Sequence, residues 1–320
     1  MGVQTKACAF QQSRHLNDTQ LLPPDLACPF CGSGRRQSVF KLQDNPQVLL
    51  LECAVCRAVS SSRVPTDETL ITYYNDYYES LPSSDSCERI THDDSKRFSI
   101  HLANRVSKQL GRPHLRILDY GGGDGSISVW MAAQLLEKGF HKVDIVVVDY
   151  NKTTVSTQNE RISITQKDNL EDNNCLYDVV IASGVIEHLP QPRDILVRLL
   201  NLMDVDGLFY ARTPCMLPLI KLLKNFGIKM DFTFPGHIHD LGQAFWESYL
   251  RHAISCGDLI LLESNPSIVE TTFKRHFLRT LASYLFKAPW YLLGRRYTLV
   301  GGWEVFIKKT SRNKIEILQK

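Results

Sequence analysis

Long apolar runs are absent from this chain of 320 residues. It has no stretch of about 18 consecutive apolar residues, so a membrane-spanning helix is not expected. Residues 1–19 are polar and lack the apolar core of a secretory signal peptide. The nine cysteines are odd in number, which disfavours a disulfide framework and favours a reducing compartment. We therefore expect a cytoplasmic protein.

Acidic residues are scarce near the carboxyl end, although the net charge of the whole chain is only +3. Residues 271–320 hold eleven Lys or Arg and two Asp or Glu. This imbalance favours contact with an anionic membrane or with nucleic acid, and a solvated basic face is the alternative. Within 270–296, aromatic residues and leucines are interspersed with the basic ones. The pattern predicts a basic amphipathic helix at the inner face of the membrane, or one that packs on the domain or dimerises.

Four cysteines of the amino-terminal region form two pairs with metal-ligand spacing. Cys28 and Cys31 make one C-x2-C pair, Cys53 and Cys56 make the other, and 21 residues separate the pairs. Four thiolates on two tight turns can close a tetrahedral structural zinc (Zn2+) site that leaves no position open for catalysis. With two short strands predicted between the pairs, residues 1–62 are expected to form a zinc ribbon. Two unrelated reactive pairs are the alternative.

Residues 63–112 are predicted to form a tyrosine-rich helical linker or lid. Thr66 can cap a helix whose first turn carries two acids. Four tyrosines between residues 73 and 78 then pair at i,i+4 spacing and form a broad aromatic face. Core packing is the default explanation of this face. The functional alternative is a lid that contacts cofactor or substrate through Tyr74, Tyr77 and Tyr78.

A glycine-rich run at 117–125, Ile-Leu-Asp-Tyr-Gly-Gly-Gly-Asp-Gly, is the strongest signal in the sequence. Glycines at positions 121, 123 and 125 allow a tight turn that approaches a ligand closely. A dinucleotide-binding loop would need a further glycine where this chain has Ser126. Asp119, before the first glycine, is the kind of anion that the ammonium group of S-adenosylmethionine (SAM) requires. A glycine-rich turn without a ligand is the alternative.

From Leu115 onward, strand and helix patterns alternate, which predicts an α/β domain with a doubly wound parallel sheet. Asp149 ends a buried strand 24 residues past Gly125 and can accept hydrogen bonds from ribose hydroxyls. Asp168 and Asn169 follow the next strand and can face an adenine amino group. Because ligands in such sheets bind outside the carboxyl ends of the strands, these side chains are expected to share one site.

Residues 115–215 resemble a class I SAM-dependent methyltransferase in the glycine run, in Asp149 and in the Glu-His-Leu of segment 183–189. The whole chain is similar to a subgroup with a zinc ribbon and a Tyr-rich linker, which includes sugar, surface-polysaccharide and secondary-metabolite methyltransferases. The resemblance implies a Rossmann-like sheet of about seven strands, the last antiparallel, over 113–320, with insertions at 212–240 and 264–300. It also implies SAM contacts from Asp119, Gly121, Gly123, Gly125, Asp149, Tyr150, Asp168, Asn169, Ser183 and Glu187.

Three histidines, His188, His237 and His239, are predicted to lie in loops at the carboxyl edge of the sheet. A hydroxyl or carbon acid loses a proton on methylation, and histidine can accept it near neutral pH. A structural role is the alternative for each. The leading hypothesis is SAM-dependent methylation of a small molecule or sugar in surface-glycan or secondary-metabolite biosynthesis. The alternatives are an RNA methyltransferase that binds through the ribbon and the basic region, and a SAM- and zinc-binding assembly or regulatory protein.

Overall fold

Two β-sheets, one of four strands and one of seven, form the framework of the part of the protein that the structure describes. The computed structural model describes residues 13–79, 94–150, 154–170, 175–228, 230–254 and 258–318, and the side chains of the first range up to residue 75. No helix within these ranges is long and apolar enough to cross a membrane.

The amino-terminal sheet begins with three antiparallel strands that pair in sequence order. They are β1 (Arg36–Gln43), β2 (Val48–Cys53) and β3 (Val59–Ser61). The edge strand β1 is half-exposed, whereas Val48 and Leu50 of β2 are fully buried in a small core. The two strands predicted between the cysteine pairs therefore correspond to β1 and β2.

Two helices connect this sheet to the larger one. The first, α1 (Asp67–Glu79), begins as predicted at Thr66, whose hydroxyl oxygen accepts a hydrogen bond from the backbone NH of Thr69 at 3.3 Å. The second, α2 (Ser95–Gln109), buries Phe98 and neighbouring apolar residues in the same core as the helix that follows the glycine run. Helix α2, which lies in the predicted linker or lid, thus packs as a layer of the larger domain.

The remaining elements alternate as the sequence predicts. In chain order they are β4 (His114–Tyr120), α3 (Ser126–Glu137), β5 (Lys142–Val148), β6 (Ile162–Lys167), β7 (Tyr177–Ser183), α4 (Pro192–Asn201), β8 (Met203–Cys215), α5 (Leu217–Asn225), β9 (His239–Asp240), α6 (Gln243–Ser248), β10 (Leu259–Pro266), α7 (Phe277–Lys287), α8 (Trp290–Leu293) and β11 (Gly301–Lys309).

The large sheet has the strand order β10-β11-β8-β7-β4-β5-β6. The pairs from β6 to β8 are parallel, whereas β11 is antiparallel to both of its neighbours. The central strands are buried on both faces, as apolar runs in parallel sheets are. The predicted Rossmann-like sheet of about seven strands, with the last one reversed, is confirmed.

The predicted insertions begin later than expected. Strand β8 continues to Cys215 because its second half is buried and pairs with β11 along its whole length. The first insertion therefore spans 216–240, and its strand β9 pairs with β3, so that it completes the amino-terminal sheet. Because β10 continues to Pro266, the second insertion spans 267–300 and holds α7 and α8.

One edge of the large sheet collects the segments that carry polar residues. The parallel strands β4, β5, β7 and β8 all end at this edge. Strand β10 also ends there, because it is antiparallel to β11, which is itself antiparallel to β8. The glycine loop and the start of the second insertion therefore lie at the same edge, which is the usual position of a ligand site in such sheets.

Candidate active site

The glycine loop connects β4 to α3. Gly121, Gly123 and Gly125 have φ angles of 72°, 59° and 75°, which glycine adopts without the steric cost of a Cβ. A Cβ on Gly121 would lie 2.6 Å from Val185, and one on Gly125 would lie 2.8 Å from Ile164. A Cβ on Gly123 would meet no heavy atom of the described residues within 4 Å. The outer glycines therefore pack against neighbouring segments, whereas Gly123 faces space that a ligand can occupy.

The two acids predicted to contact SAM differ in position. Asp119 is only 4% exposed, and its carboxylate accepts a hydrogen bond from the Ser128 hydroxyl beneath the glycine loop. Burial raises the pKa of Asp119 to about 6. Asp119 therefore supports the loop from beneath, and its contact with the SAM ammonium group stays a prediction. Asp149 reaches the loop itself, since its Oδ2 accepts a hydrogen bond from the backbone NH of Gly123 at 2.8 Å.

The other predicted cofactor contacts follow neighbouring strands at the same edge. Tyr150 is 90% exposed directly after Asp149, and Asp168 and Asn169 are exposed after β6. Ser183 ends β7, and its hydroxyl oxygen accepts a hydrogen bond from Nε of Arg212 at 3.2 Å. These side chains flank the glycine loop on both sides, because β5 and β7 are the two neighbours of β4.

Glu187 and His188 belong to a short 3₁₀ turn after β7. His188 Nδ1 lies 2.6 Å from the carbonyl oxygen of Gly236, so the Nδ1–H donates and Nε2 keeps its lone pair. Glu187 is buried, and its Oε2 has no hydrogen-bond partner among the described residues. Burial raises the pKa of this carboxyl group. Glu187 is therefore enclosed beside His188, and its contact with SAM stays a prediction.

His237 comes from the first insertion, and a threonine sets its tautomer. The Thr233 hydroxyl donates to the carbonyl oxygen of Phe232 at 2.6 Å, so its oxygen accepts from Nδ1 of His237 at 2.7 Å. Thr233 has a φ of +65°, an unusual conformation that costs a β-branched residue about 1 kcal/mol or more. Burial, with a contribution from His188, lowers the pKa of His237 to about 3. The His237 ring is therefore held neutral.

Three side chains converge in what we call the Glu–His–His group, which consists of Glu187, His188 and His237. One ring nitrogen of each histidine and a carboxylate oxygen of Glu187 lie within 4.8 Å of one another. The ring centroids of the two histidines are 4.9 Å apart. Because both Nδ1 atoms are engaged as donors, the lone pairs of this group are on the two Nε2 atoms. Such a group can accept a proton from a hydroxyl, or it can hold a divalent metal ion.

His239 lies in β9 and does not join the Glu–His–His group. Its side chain is 1% exposed, and its Nε2 donates a hydrogen bond to the carbonyl oxygen of Leu189 at 2.8 Å. The ring also packs edge-on against Phe30 of the amino-terminal region, with centroids 4.9 Å apart. His239 is therefore enclosed apart from the other two histidines, and its catalytic role stays a prediction.

The tyrosine-rich helix α1 borders the Glu–His–His group. The ring of Tyr74 meets that of His188 edge to face, with centroids 6.4 Å apart. Tyr73 is buried, as core packing requires. The side chains of Tyr77 and Tyr78 lie outside the described part of the structure, so their contact with substrate stays a prediction.

The four cysteines of the amino-terminal region form one cluster. The Sγ atoms of Cys28 and Cys56 are 3.5 Å apart, those of Cys31 and Cys53 are 3.6 Å apart, and all four lie within 4.8 Å of one another. A tetrahedral zinc ion with Zn–S bonds of about 2.3 Å places its sulfur atoms about 3.8 Å apart. The backbone NH of Val55 also points at Cys53 Sγ, at 3.4 Å. The donor set and its spacing thus fit a metal site with four cysteine ligands.

A family model described as a methyltransferase domain matches residues 91–253, just over half of the chain. The chain belongs to this methyltransferase family. The strand order, the reversed strand β11 and the glycine loop agree with that assignment, so the resemblance to class I SAM-dependent methyltransferases is confirmed. No curated protein matches the chain.

Several solved structures are similar to this methyltransferase at low sequence identity. The [4+2]-cyclase SpnF has 13% identity and a TM-score of 0.46, over 78% of this chain and 98% of its own. The plantazolicin methyltransferase BpumL, solved in complex with a triazolic desmethylPZN analogue and SAH, has 15% identity and a TM-score of 0.43, over 77% of this chain and 92% of its own. YcgJ of Bacillus subtilis has 13% identity and a TM-score of 0.39, over 67% and 99%.

The methyltransferase site includes an ion pair that the sequence did not reveal. Arg212, buried near the end of β8, pairs through Nη1 with Glu270 at the start of the second insertion. The partners are 58 residues apart, and no local pattern links them. Thr233 and Gly236, which orient the two histidines, were also missed. The Pro235-Gly236 dipeptide marks a turn in the sequence but gives no sign of what the turn contacts.

We expect the variant His239→Gln to be less stable than the wild type near pH 8, by an amount that shrinks as the pH falls. Burial lowers the pKa of His239 to about 3, below the value of about 6.5 in an unfolded chain. Above pH 6.5 neither state binds the proton. Between about pH 6.5 and 3 the unfolded state alone binds it, so the wild type loses up to about 1.4 kcal/mol of stability per pH unit from this group.

Glutamine does not titrate, and its side-chain amide can still donate to the Leu189 carbonyl oxygen. Urea unfolding of both proteins at several pH values between about 8 and 4.5 measures the difference, in which contributions from other titrating groups cancel. A difference that stays constant over this range would show that His239 does not carry the depressed pKa.

Proposed function

We propose that this methyltransferase transfers the methyl group of SAM to a hydroxyl group of a small-molecule or sugar acceptor, in surface-glycan or secondary-metabolite biosynthesis. The observation that carries the proposal is the Glu–His–His group at the carboxyl edge of the sheet, where His188 keeps the lone pair of Nε2 beside the neutral ring of His237. A hydroxyl acceptor needs a base of this kind, because its oxygen must lose a proton as the new bond forms.

The residues present fit SAM at the glycine loop. Gly123 leaves open space beside it, and Asp149 holds a carboxylate against its backbone NH. Asp149 and the exposed residues after β5 and β6 would bind the ribose and adenine, and Ser183 would border the methionine end. When bound, SAM supplies an activated methyl group on a sulfonium. The protein aligns the acceptor oxygen with that group, and such alignment lowers the barrier to transfer.

His188 is the base in this proposal. Its Nδ1–H is fixed on the Gly236 carbonyl oxygen, so Nε2 would be placed to accept the proton of an acceptor hydroxyl, whose oxygen takes the methyl group as the C–S bond breaks and SAH leaves. Glu187, buried beside it, then stabilises the imidazolium through opposite charge. His237 is a poor proton acceptor near neutral pH because its pKa is lowered to about 3. His237 instead positions the acceptor through Nε2.

The four-cysteine cluster would hold a structural zinc ion through Cys28, Cys31, Cys53 and Cys56. All four ligand positions are occupied by sulfur, so no open position remains for a substrate. The cluster lies in the amino-terminal sheet, whose strand β9 is supplied by the first insertion. Zinc there would stabilise that sheet and, through it, the insertion that carries His237.

Replacing His188 with alanine is expected to lower kcat by about 10²–10⁴-fold, while the affinity for SAM stays within about threefold of the wild type. His237→Ala should lower transfer less, because the base remains. His114→Ala is the matched control, since that histidine is exposed at the start of β4, at the opposite edge of the sheet. Methyl-labelled SAM and a cell extract, followed by mass spectrometry of the labelled fraction, identify the acceptor and provide the assay.

Full transfer by His188→Ala would exclude His188 as the base. Transfer that stops on addition of a chelator and returns with magnesium or manganese, at unchanged zinc content, would assign the Glu–His–His group to metal binding. SAM binding without transfer to any acceptor would favour a regulatory protein. Label that enters RNA, with affinity that falls steeply with salt, would replace the small-molecule acceptor by a nucleic acid.

A further inference from the structure

Helix α7 and the short helix α8 expose an unusual amount of apolar side chain. Leu278 is 78% exposed, and Phe277, Leu281 and Leu285 of α7 are also exposed. The exposure continues on α8, where Leu292 is 90% exposed. We call these two helices, with Phe273 before them, the α7–α8 patch. Large exposed apolar side chains clustered in one segment of the chain are typical of an interaction site.

The faces of α7 are reversed with respect to an ordinary surface helix. Thr280 is fully buried and its hydroxyl hydrogen-bonds that of Thr271, while Lys287 is turned inward and donates from Nζ to the hydroxyl of Ser267 at 3.1 Å. Residues seven apart share a helix face, so Thr280 and Lys287 define a polar inner face. Leu278 lies about 200° around the helix from Thr280 and defines, with Leu285, an apolar outer face. Burial on the domain therefore does not explain these leucines.

The patch is bordered by positive charge. Lys274, Arg275 and Arg279 are exposed around the start of α7, and Arg296 is exposed after α8. The single acid of segment 270–296 is Glu270, which is paired with Arg212. The patch thus combines exposed leucines and aromatic rings with a border of cations, which is the composition of helices that lie at the surface of anionic membranes.

We propose that the α7–α8 patch binds the surface of an anionic phospholipid bilayer. The leucines of the outer face would enter the boundary between headgroups and acyl chains, and the bordering cations would meet the lipid phosphates. A second copy of the chain is a poorer occupant. A symmetric contact would bring two identical patches together, and neither patch offers an anion to pair with the cations of the other. Nucleic acid would leave the leucines in water.

The position of the patch relates it to the proposed transfer reaction. The second insertion starts where β10 ends, at the same edge of the sheet as the glycine loop, and Glu270 joins it to Arg212 beside Ser183. A protein bound through this patch would hold its acceptor edge near the bilayer. We expect the acceptor to be anchored in that bilayer or to partition into it. This expectation rests on the proposed function. The proposal that the protein binds lipid is independent of that function.

Flotation of the full-length protein with vesicles tests the proposal. We expect it to float with vesicles of phosphatidylcholine that contain about a third phosphatidylglycerol, and at least about tenfold less with pure phosphatidylcholine. The double variant Leu278→Glu/Leu285→Glu should lose at least about tenfold of the binding to anionic vesicles. Both side chains are exposed, so the variant is expected to fold. Leu26→Glu is the matched control, since Leu26 is 75% exposed in the amino-terminal region, outside the patch.

Equal flotation of the double variant and the wild type would overturn the proposal. The proposal would also be overturned if the wild type did not float and sedimentation analysis showed it to be a dimer while the double variant was a monomer. The patch would then bind a second copy of the chain. SAM affinity and transfer to an acceptor in detergent solution are measured on the same variants. A double variant that fails to float but transfers methyl groups normally separates the membrane proposal from the proposed function.

Discussion

Replacing Gly123 with alanine is expected to weaken SAM binding by at least about tenfold, or about 1.4 kcal/mol. The new Cβ would meet no heavy atom of the described residues within 4 Å, so the protein itself offers no clash. The methyl side chain of the new alanine would instead occupy the space that we assign to SAM. The φ of 59° also disfavours alanine, and a shift of this residue would disturb the hydrogen bond from its NH to Asp149. Calorimetric titration with SAM and SAH measures the effect.

Gly139→Ala is the matched control for this experiment. Gly139 also has a positive φ, of 98°, and a Cβ there would likewise have open space around it within the described structure. It lies between α3 and β5, at the amino edge of the sheet, away from the glycine loop. Both variants should lose about 1 kcal/mol of stability, but only Gly123→Ala should lose SAM affinity. Equal affinities in the two variants would place the cofactor elsewhere.

The features that the sequence predicts well are those whose signal is local. The glycine run specifies its own positive φ angles, and the alternation of apolar strands with helices specifies a parallel sheet. The two C-x2-C pairs likewise bring their thiols together through two short turns and the hairpin between them. In each case the residues that carry the pattern also make the contact, so the prediction does not depend on distant partners.

The features that escaped prediction depend on partners far apart in the chain. Arg212 and Glu270 meet because β8 and β10 end at one edge of the sheet. Residue type alone does not predict that this arginine and this glutamate form an ion pair. His237 and His239 stand two residues apart in one segment, yet one joins the Glu–His–His group and the other is buried against Phe30. His239 belongs to β9, which pairs with β3, whereas His237 precedes that strand.

Helix α7 shows a third limit, because periodicity identifies two faces but not which of them is buried. Its sequence has one face with Thr280 and Lys287 and another with Leu278 and Leu285. The usual rule would bury the leucines. The structure buries the polar face, where hydrogen bonds to residues 267 and 271 satisfy it. The inverted face is therefore information that only the tertiary structure provides.

Replacing Cys56 with serine is expected to reduce the free energy of unfolding by more than about 4 kcal/mol, beyond the usual range for single substitutions. Structural zinc sites in small domains have apparent binding free energies of roughly 10–16 kcal/mol, and removing one of four thiolates forfeits much of that. The zinc content should fall from one ion per chain toward none. Thermal unfolding and metal analysis of purified protein measure the two effects.

The Cys56→Ser variant should also lose methyl transfer as its zinc ribbon loses structure, although no cysteine of the cluster touches the proposed acceptor site. The backbone NH of Ser61 in β3 donates to the carbonyl oxygen of Ile238 at 2.9 Å. The backbone NH of Ile238 in turn donates to the carbonyl oxygen of Glu187 at 3.0 Å. Loss of β3 would therefore release the segment that holds His237 beside Glu187. Cys175→Ser, an exposed cysteine outside the cluster, is the control and should keep zinc, stability and transfer. A Cys56→Ser protein that loses zinc but keeps full transfer would show that the ribbon does not support the active site.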